Sequence, residues 1–232
     1  MTQKTAMIVG AGGGLSASLA RAFAAEGMHI ALAARDTEKL ASIACETGAL
    51  VVRCEATDAS SVEAAFATTE SKWGAPDLVL YNASYRVRGP LVELDPQEVE
   101  RTLSVTAFAG FLVAQTAARR MLARGSGAIF FTGASASVKG YANSAPYAMG
   151  KFALRGLAQS MARELAPKCI HVAHFVIDGL IRNDADDPRL AQGMPDSLLD
   201  PDEIAKTYLA VYRQQRSAWT WEVELRPWVE RF

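Results

Sequence analysis

The sequence predicts an α/β fold: a doubly wound parallel sheet of about seven strands with helices on both faces, in one domain that spans residues 1–232. Short apolar runs alternate along the chain with longer segments whose apolar residues recur at helical spacing, as in β-α-β units. A glycine cluster follows the first apolar run. Half of the 232 residues are hydrophobic, and no linker or internal repeat divides them. We therefore expect one large core.

Composition limits the classes of partner. The formal net charge of -1 gives no general attraction to nucleic acid or to an anionic membrane surface. We therefore expect the partner to be a small molecule or another copy of the chain. The three cysteines, Cys45, Cys54 and Cys169, are too scattered for a disulfide framework or a zinc site, so no metal is expected. Because the sequence opens without a signal-peptide pattern and has no uncharged apolar run of about 18 residues, we expect a cytoplasmic protein.

The first β-α-β unit carries a phosphate-binding pattern. Thr5–Gly10 is predicted as a buried strand, Leu15–Glu26 as a helix and His29–Ala34 as the second strand. Glycines between the strand and the helix let the backbone approach a pyrophosphate, and the free N–H groups at the helix start bind its charge. A tight turn packed against its helix is the alternative. The predicted nucleotide contacts in this unit are Gly10, Gly12, Gly13, Gly14 and Leu15.

The end of the second strand indicates which nucleotide binds. An acidic residue at this point would hydrogen-bond the ribose hydroxyls of NAD and repel the extra phosphate of NADP. Here the strand ends Ala33-Ala34-Arg35, and Lys39 follows. The Arg35 guanidinium can pair with that phosphate, so the sequence favours NADP over NAD. Asp36 is the nearest carboxylate, and its position also suits the cap of the next helix.

Strands and helices keep alternating after this unit. The segments Tyr81–Ser84, Thr132–Ser137 and Ile177–Asn183 lie at strand ends, where the ligands of parallel sheets bind. The irregular stretch Arg182–Asp200 is rich in Asp and Pro, and we interpret it as a mobile flap over the site. The predicted elements are strands at Leu50–Cys54, Leu78–Ala83, Ala128–Thr132, Ile170–Ile177 and Trp221–Leu225, and helical regions at Ser60–Trp73, Pro96–Arg124, Tyr147–Leu165 and Pro201–Gln214.

A tyrosine and a lysine stand one helical turn apart just before the apolar run Phe152–Leu165. Tyr147 and Lys151 project from the same helix face, so the phenol and the ammonium can share one site. A nearby cation favours phenolate over phenol, which moves the pKa of the tyrosine from about 10 toward the range of proton transfer. The alternative is that the two side chains are simply neighbours on the exposed surface of a helix.

Over nearly its whole length, the chain resembles the short-chain dehydrogenase/reductase family. The resemblance rests on the turn Gly10-Ala-Gly-Gly-Gly14, the Asn82-Ala83 step, Tyr147 with Lys151, and the Asp178-Gly179 turn. It implies a Rossmann fold, a nicotinamide cofactor and hydride exchange between an alcohol and a carbonyl. It also implies a homodimer or homotetramer.

The resemblance further implies roles by position. Tyr147 would protonate a carbonyl oxygen or deprotonate an alcohol, and Lys151 would bind the nicotinamide ribose and lower the pKa of Tyr147. The other cofactor contacts would be Gly10 and Gly14 at the pyrophosphate, Asn82 and Ala83 at the adenosine side, and Ile181 at the nicotinamide.

Several family positions carry other residues in this chain. Glu55 stands where the family has an adenine-binding aspartate, and Ser16 replaces the third glycine of the turn. The catalytic serine of the family falls on Ala134, so we expect Ser135, one residue later, to orient the substrate oxygen. The asparagine that holds a relay water falls on Thr106, whose hydroxyl can also hydrogen-bond a water.

Two functions from different classes follow from these residues. The first is an NADPH-dependent carbonyl reductase or alcohol dehydrogenase that acts on a small carbonyl or alcohol substrate. The second is a non-catalytic NADP-binding sensor or partner subunit, which the substitutions at Ala134 and Thr106 favour and the intact Tyr147–Lys151 pair opposes. Dehydration or isomerisation on the same fold is a further alternative.

Overall fold

The computed structural model describes residues 3–183, 187–192 and 196–230, and its centre is a parallel sheet of seven strands. The strands are β1 (Thr5–Val9), β2 (His29–Ala34), β3 (Leu50–Arg53), β4 (Leu78–Tyr81), β5 (Gly127–Thr132), β6 (Ile170–Ile177) and β7 (Glu222–Leu225). They lie in the order β3-β2-β1-β4-β5-β6-β7, and every neighbouring pair is parallel. The predicted doubly wound α/β fold is confirmed.

Helices cover both faces of this sheet. One predicted helical region, Pro96–Arg124, differs from expectation because a π-helical turn at Ser104–Phe108 interrupts it. Within the described ranges, every helix is too short or too polar to span a bilayer. The α-helices are α1 (Leu15–Ala25), α2 (Ala41–Thr47), α3 (Ala59–Trp73), α4 (Pro96–Leu103), α5 (Ala109–Arg124), α6 (Ala145–Leu165) and α7 (Pro201–Tyr212).

The sheet separates two apolar layers, because successive side chains of a strand point to opposite faces. In β1, Ile8 faces the layer that contains Phe23 of α1 and Tyr208 of α7. The next residue, Val9, faces the layer that contains Leu154 of α6. All five side chains are buried. Burial of both faces explains why the strands are nearly continuous apolar runs in the sequence.

The crevice that positions the site lies between β1 and β4. Strand β1 pairs with β2 on one side and with β4 on the other, so the sheet grows outward in both directions from this point. Helix α1, which follows β1, packs in one layer, and α5, which leads from β4 to β5, packs in the other. The carboxyl ends of the two strands therefore open onto a shared crevice, where ligands of such sheets bind.

The chain after β6 runs along the same edge of the sheet before it enters α7. Ile181 pairs with Leu199 in an isolated parallel bridge, and Arg189 forms an ion pair with the buried Asp187. The predicted flap Arg182–Asp200 also contains residues 184–186 and 193–195, which lie outside the described residues. Its movement stays a prediction.

Two glycines in neighbouring helices should respond in opposite ways to an added methyl group. A Cβ on Gly110 of α5 would lie 2.7 Å from Leu154 Cδ1 and 3.2 Å from Tyr81 Cε1. A Cβ on Gly156 of α6 would meet nothing within 4 Å beyond its own helix. We expect Gly110→Ala to lower the free energy of unfolding by about 1–3 kcal/mol through overpacking, and Gly156→Ala to raise it by about 0.5–1 kcal/mol. Urea unfolding of both variants checks this, and equal effects would contradict the close packing of α5 on α6.

Candidate functional site

The glycine turn after β1 brings two backbones into contact. Gly10 has a φ of +81°, in the left-handed region that glycine adopts without strain. A Cβ on Gly10 would lie 2.4, 2.5 and 2.6 Å from the N, Cα and Cβ atoms of Ala83. A side chain at Gly10 would therefore push the ends of β1 and β4 apart. This contact sets the width of the crevice.

Side-chain hydrogen bonds join the same two segments. Asn82 Nδ2 donates to Ser16 Oγ at 2.6 Å, and Ser16 Oγ donates to the Gly10 carbonyl at 3.4 Å. Ser16 is 1% exposed, so its hydroxyl is committed to the turn itself. Asn82 thereby fixes the start of α1 relative to the end of β4.

The start of α1 is open to an anion. A Cβ on Gly12 or Gly13 would meet no atom within 4 Å, so a ligand can approach the backbone here. Gly14 precedes the helix with a φ of +60°. Helix α1 then begins at Leu15 with no side-chain cap and no acidic residue in its first turn, which leaves backbone N–H groups for a ligand. These residues fit the pyrophosphate of a dinucleotide.

A cleft of about 560 Å³ opens beside the turn at the carboxyl ends of β2 and β3. Arg35 and Glu55 line it, with Arg35 Nε 3.9 Å from Glu55 Oε2. The Thr57 hydroxyl donates to Glu55 Oε1 at 2.8 Å and holds that carboxylate in place. Asp36 Oδ1 accepts the Glu38 N–H at 3.2 Å. The N-cap of the following 3₁₀ turn is Thr37 and that of α2 is Leu40, so Asp36 lies one residue before the expected cap position. The lining also includes Gly10, Asn82 and Ala83.

Tyr147 lies in the first turn of α6, and its environment differs from the expected one. Burial raises the pKa of Tyr147, while the charge of Arg86, a hydrogen bond from Ser84 and the charge of Arg88 oppose the rise. The guanidinium carbon of Arg86 lies over the tyrosine ring, 5.0 Å from its centroid. Lys151 Nζ is 5.7 Å from the same centroid. The expected lowering of the Tyr147 pKa by Lys151 is absent from this structure, because the ammonium is directed elsewhere.

The Lys151 side chain is buried and bonds to the sheet. Its Nζ donates to the Thr132 carbonyl at the end of β5, at 2.7 Å. Burial lowers the pKa of Lys151 to about 8. The Thr132 hydroxyl is in turn 2.8 Å from the Tyr208 hydroxyl of α7. Lys151 thus holds α6 at the carboxyl edge of the sheet, on the side of the crevice.

Thr106 lies in the π-helical turn between α4 and α5 and is fully buried. Its Oγ1 accepts the Tyr85 N–H at 3.3 Å and donates to the Tyr85 carbonyl at 3.4 Å, which leaves one lone pair for a water. A Cβ on Gly150 would lie 2.9 Å from Thr106 Cβ, so α6 passes directly against this turn. The Tyr81 hydroxyl donates to the Val105 carbonyl at 2.5 Å and so attaches the turn to β4.

Ser135 begins a short 3₁₀ turn after β5, Ser135–Ser137. Ser137 Oγ accepts the Ala134 N–H at 3.1 Å. Two residues beyond the turn, Lys139 Nζ binds the buried Asp178 carboxylate at 3.0 Å. The turn is therefore fixed between the ends of β5 and β6. Ser135 is partly exposed and, among the described residues, its hydroxyl has no hydrogen-bond partner.

The segment after β6 forms a further edge of the site. The Ile181 carbonyl accepts a hydrogen bond from Arg189 Nη2 at 2.9 Å. The Arg182 N–H donates to the Leu199 carbonyl at 2.9 Å. This bond belongs to the isolated bridge between Ile181 and Leu199, which holds Ile181 in place. Ile181 thus lies on the same sheet edge as the glycine turn.

A partly buried network close to Lys151 is not predicted from the sequence. His174 Nδ1 lies 3.1 Å from Glu222 Oε2, and Arg155 donates to both oxygens of Glu222 at 2.6 and 2.8 Å. His174 Nε2 has no hydrogen-bond partner in the described part of the chain, and a Cβ on Gly133 would lie 2.3 Å from it. Burial lowers the pKa of His174 to about 4. The charge of Glu222 opposes this shift, and the charges of Lys151 and Arg155 add to it.

The site residues that sequence reasoning missed carry only faint signals. Arg86 and Arg88 follow Ser84, the last residue of the predicted strand end, at intervals of two, and residues two apart on an extended chain share a side. His174 and His171 are the two polar residues of β6, and such residues need partners when they are buried. Within the described ranges, no group of three His, Cys, Asp or Glu side chains could hold a metal ion.

Comparisons with known proteins point to one family. A sequence model described as short chain dehydrogenase matches residues 4–188. The L-2,3-butanediol dehydrogenase of Corynebacterium glutamicum is 32% identical over 187 residues, which cover 77% of this chain and 72% of that protein. A short-chain dehydrogenase structure from Rhodopseudomonas palustris is 36% identical with a TM-score of 0.83 and covers 97% of this chain and 99% of its own. An alcohol dehydrogenase from Thermococcus sibiricus, solved with 5-hydroxy-NADP, is 25% identical with a TM-score of 0.86 and covers 99% and 98%.

Acidification should destabilise the folded protein through His174. The pKa of His174 is about 4 in the folded chain against an ordinary value of 6.5, so between these pH values the unfolded chain binds a proton that the folded chain does not. The free energy of unfolding therefore keeps its full value with respect to His174 above about pH 6.5. It falls by up to roughly 3 kcal/mol as the pH is lowered to about 4. We expect His174→Gln to flatten this pH dependence and the control His29→Gln to keep it. Urea unfolding across this range measures it, and equal slopes for the two variants would contradict the assignment.

Proposed function

Because the chain belongs to the short-chain dehydrogenase/reductase family of oxidoreductases, we propose that it transfers a hydride between NADP(H) and a small carbonyl or alcohol substrate. The observation that carries this proposal is the geometry of α6. Tyr147 and Lys151 stand one helical turn apart near the start of α6, at the same carboxyl edge of the sheet as the uncapped start of α1, which fits a dinucleotide. A protein that only binds the nucleotide has no use for the tyrosine.

Tyr147 is the acid–base group of the proposed reaction. When bound, NADPH supplies the hydride that reduces the carbonyl carbon. The Tyr147 hydroxyl gives its proton to the carbonyl oxygen, and in the reverse direction the phenolate removes the proton of the alcohol. Burial raises the pKa of Tyr147, which keeps the phenol protonated at neutral pH and suits the reductive direction. The charges of Arg86 and Arg88 stabilise the phenolate that forms when Tyr147 has given up its proton.

Lys151, Ser135 and Thr106 complete the proposed catalytic group. With a pKa of about 8, Lys151 is mostly protonated at neutral pH, so its ammonium can bind the nicotinamide ribose. The free hydroxyl of Ser135 orients the substrate oxygen in the absence of a hydroxyl at Ala134. Thr106 holds a relay water through its remaining lone pair. A lost oxyanion donor typically costs about 3 kcal/mol, so the substitution at Ala134 slows such an enzyme without abolishing its activity.

The proposed cofactor is NADP rather than NAD. Arg35 is exposed at the end of β2, where its guanidinium can meet the extra phosphate. Glu55, Asn82 and Ala83 would contact the adenosine side, and Ile181 the nicotinamide. The Thermococcus sibiricus relative was solved with 5-hydroxy-NADP, which supports the choice.

A non-catalytic NADP-binding sensor is the second candidate. The Thr106 hydroxyl already makes two bonds to the Tyr85 backbone, and Ala134 has no hydroxyl to offer. Both observations weaken the proton relay without affecting nucleotide binding. The turnover experiment below separates the two candidates.

Assembly and location are further parts of the proposal. Large apolar side chains are exposed on the π-helical turn, α5 and α6, which supports a homodimer or homotetramer formed through these helices. We also propose that the protein is cytoplasmic, and that the segment 182–200 closes over the substrate. The exposed apolar residues are Phe108, Phe111, Met149 and Phe152.

The Tyr147→Phe variant should lose turnover and keep the cofactor. Loss of the acid–base hydroxyl should lower kcat by about 10²–10⁴-fold, while the Kd for NADPH stays within about twofold because the ring still fills its place. NADPH oxidation with a panel of aldehydes and ketones gives the rate, and nicotinamide fluorescence gives the Kd. Tyr212→Phe, at the opposite edge of the sheet, is the matched control. NADPH binding without oxidation by any carbonyl would favour the sensor, and no binding of either nucleotide would contradict both candidates.

The Arg35→Ala variant should lose the preference for NADPH. A charge-assisted pair with phosphate is worth about 10–100-fold in affinity, so the Kd for NADPH should rise by that factor while the Kd for NADH changes little. Fluorescence titrations with the two nucleotides measure both constants. Arg163→Ala, which removes an exposed arginine near the end of α6, should change neither. An equal rise for both nucleotides would show that Arg35 does not select the cofactor.

A further inference from the structure

The segment after β4 crosses the start of α6 between two anchors. At one end, the backbone N–H and carbonyl of Tyr85 are both bonded to Thr106 Oγ1. At the other end, the Gly89 N–H donates to the Asn143 carbonyl at 3.0 Å, four residues before Tyr147. The residues between the anchors are therefore held against the first turn of α6.

Exposure alternates along this segment. Ser84, Arg86 and Arg88 are exposed, and the residues between them are half-buried, as in an extended chain with one side against the protein. Ser84 and Arg86 both interact with Tyr147. Arg88 is exposed on the same side of the segment as Arg86, and its charge also lowers the pKa of Tyr147. One guanidinium group therefore lies over the acid–base group, and a second follows it on the same side of the segment.

These two guanidinium groups lack acidic partners in the described part of the chain. The Glu98 carboxylate, which contacts Tyr85 of this segment, has other partners. It accepts the Tyr85 hydroxyl at 2.6 Å and pairs with Arg101 at 3.5 Å. In a chain with a net charge of -1, two uncompensated cations at the site mark a local positive field that attracts anions.

We propose that the substrate carries a carboxylate close to its carbonyl group and that Arg86 and Arg88 bind this carboxylate. The inference rests on the function proposed above. The Arg86 guanidinium carbon is 5.0 Å from the centroid of the Tyr147 ring, so a bound carboxylate lies within a few bonds of a carbonyl oxygen at the Tyr147 hydroxyl. Short-chain oxo acids and their hydroxy-acid products have this spacing. The planar guanidinium fork matches a carboxylate through two parallel hydrogen bonds.

Matched pairs of substrates test the proposal. Short oxo acids and their methyl esters are reduced with NADPH by wild type, by the double variant Arg86→Gln/Arg88→Gln and by the control Arg119→Gln, which removes an exposed arginine from α5 at the opposite edge of the sheet. Wild type should prefer the acid. The double variant should lower the acid-to-ester ratio of kcat/KM by about tenfold or more, since a charged hydrogen-bonded pair is lost. Arg119→Gln should keep the wild-type ratio. Arg86→Lys, which preserves the positive charge, should lower the ratio less than the double variant does.

The outcomes separate this inference from the proposed function. An unchanged acid-to-ester ratio in the double variant, with Tyr147→Phe inactive on both substrates, overturns the inference and leaves the function in place. If wild type prefers a phosphate-bearing ketone to the oxo acid, and the double variant loses this preference, the arginines bind a phosphate. That result overturns the proposal of a carboxylate.

If no carbonyl is reduced, the proposed function fails and binding still decides the inference. The unfolding temperature is then measured with NADPH and either the oxo acid or its ester. A rise with the acid that the double variant loses supports the site, and equal shifts with acid and ester overturn it.

Discussion

The contact between the Gly10 and Ala83 backbones is the constraint on which the rest of the site depends. Strands β1 and β4 lie side by side, and the chain leaves them toward opposite faces of the sheet. Their carboxyl ends can approach this closely because Gly10 has no Cβ and adopts a positive φ. The bonds from Asn82 to Ser16 and from Ser16 to Gly10 preserve the approach. The open start of α1 and the cleft beside it follow from this arrangement.

The position of α6 depends on two further contacts. Lys151 bonds to the Thr132 carbonyl at the end of β5, and Gly150 lets the helix lie against Thr106 in the π-helical turn. These contacts place Tyr147 at the same edge of the sheet as the glycine turn. They also bury both titratable groups, which raises the pKa of Tyr147 and lowers that of Lys151. The arginines of the segment after β4 oppose the first of these shifts, so that segment belongs to the electrostatics of the site.

Much of the fold could be read from the sequence, because burial of a parallel sheet on both faces leaves a local pattern. The strand predicted at Ile170–Ile177 has the same bounds in the structure, and the strand His29–Ala34 does too. The π-helical turn at Ser104–Phe108 could not be read, because one widened turn barely changes the apolar spacing on either side of it. Its stabilising bond, from Tyr81 to Val105, joins residues 24 positions apart.

The sequence by itself determined the alternation of strands and helices, the glycine turn and the Tyr147–Lys151 pair, because each depends on residues within a few positions of one another. The tertiary structure decided which groups surround that pair. The strand order brings Ser84 and Arg86 to Tyr147 and directs Lys151 to Thr132. It also puts His174 near Lys151, with Glu222 from the neighbouring strand. These contacts join distant parts of the chain, and periodicity carries no information about which distant segments meet.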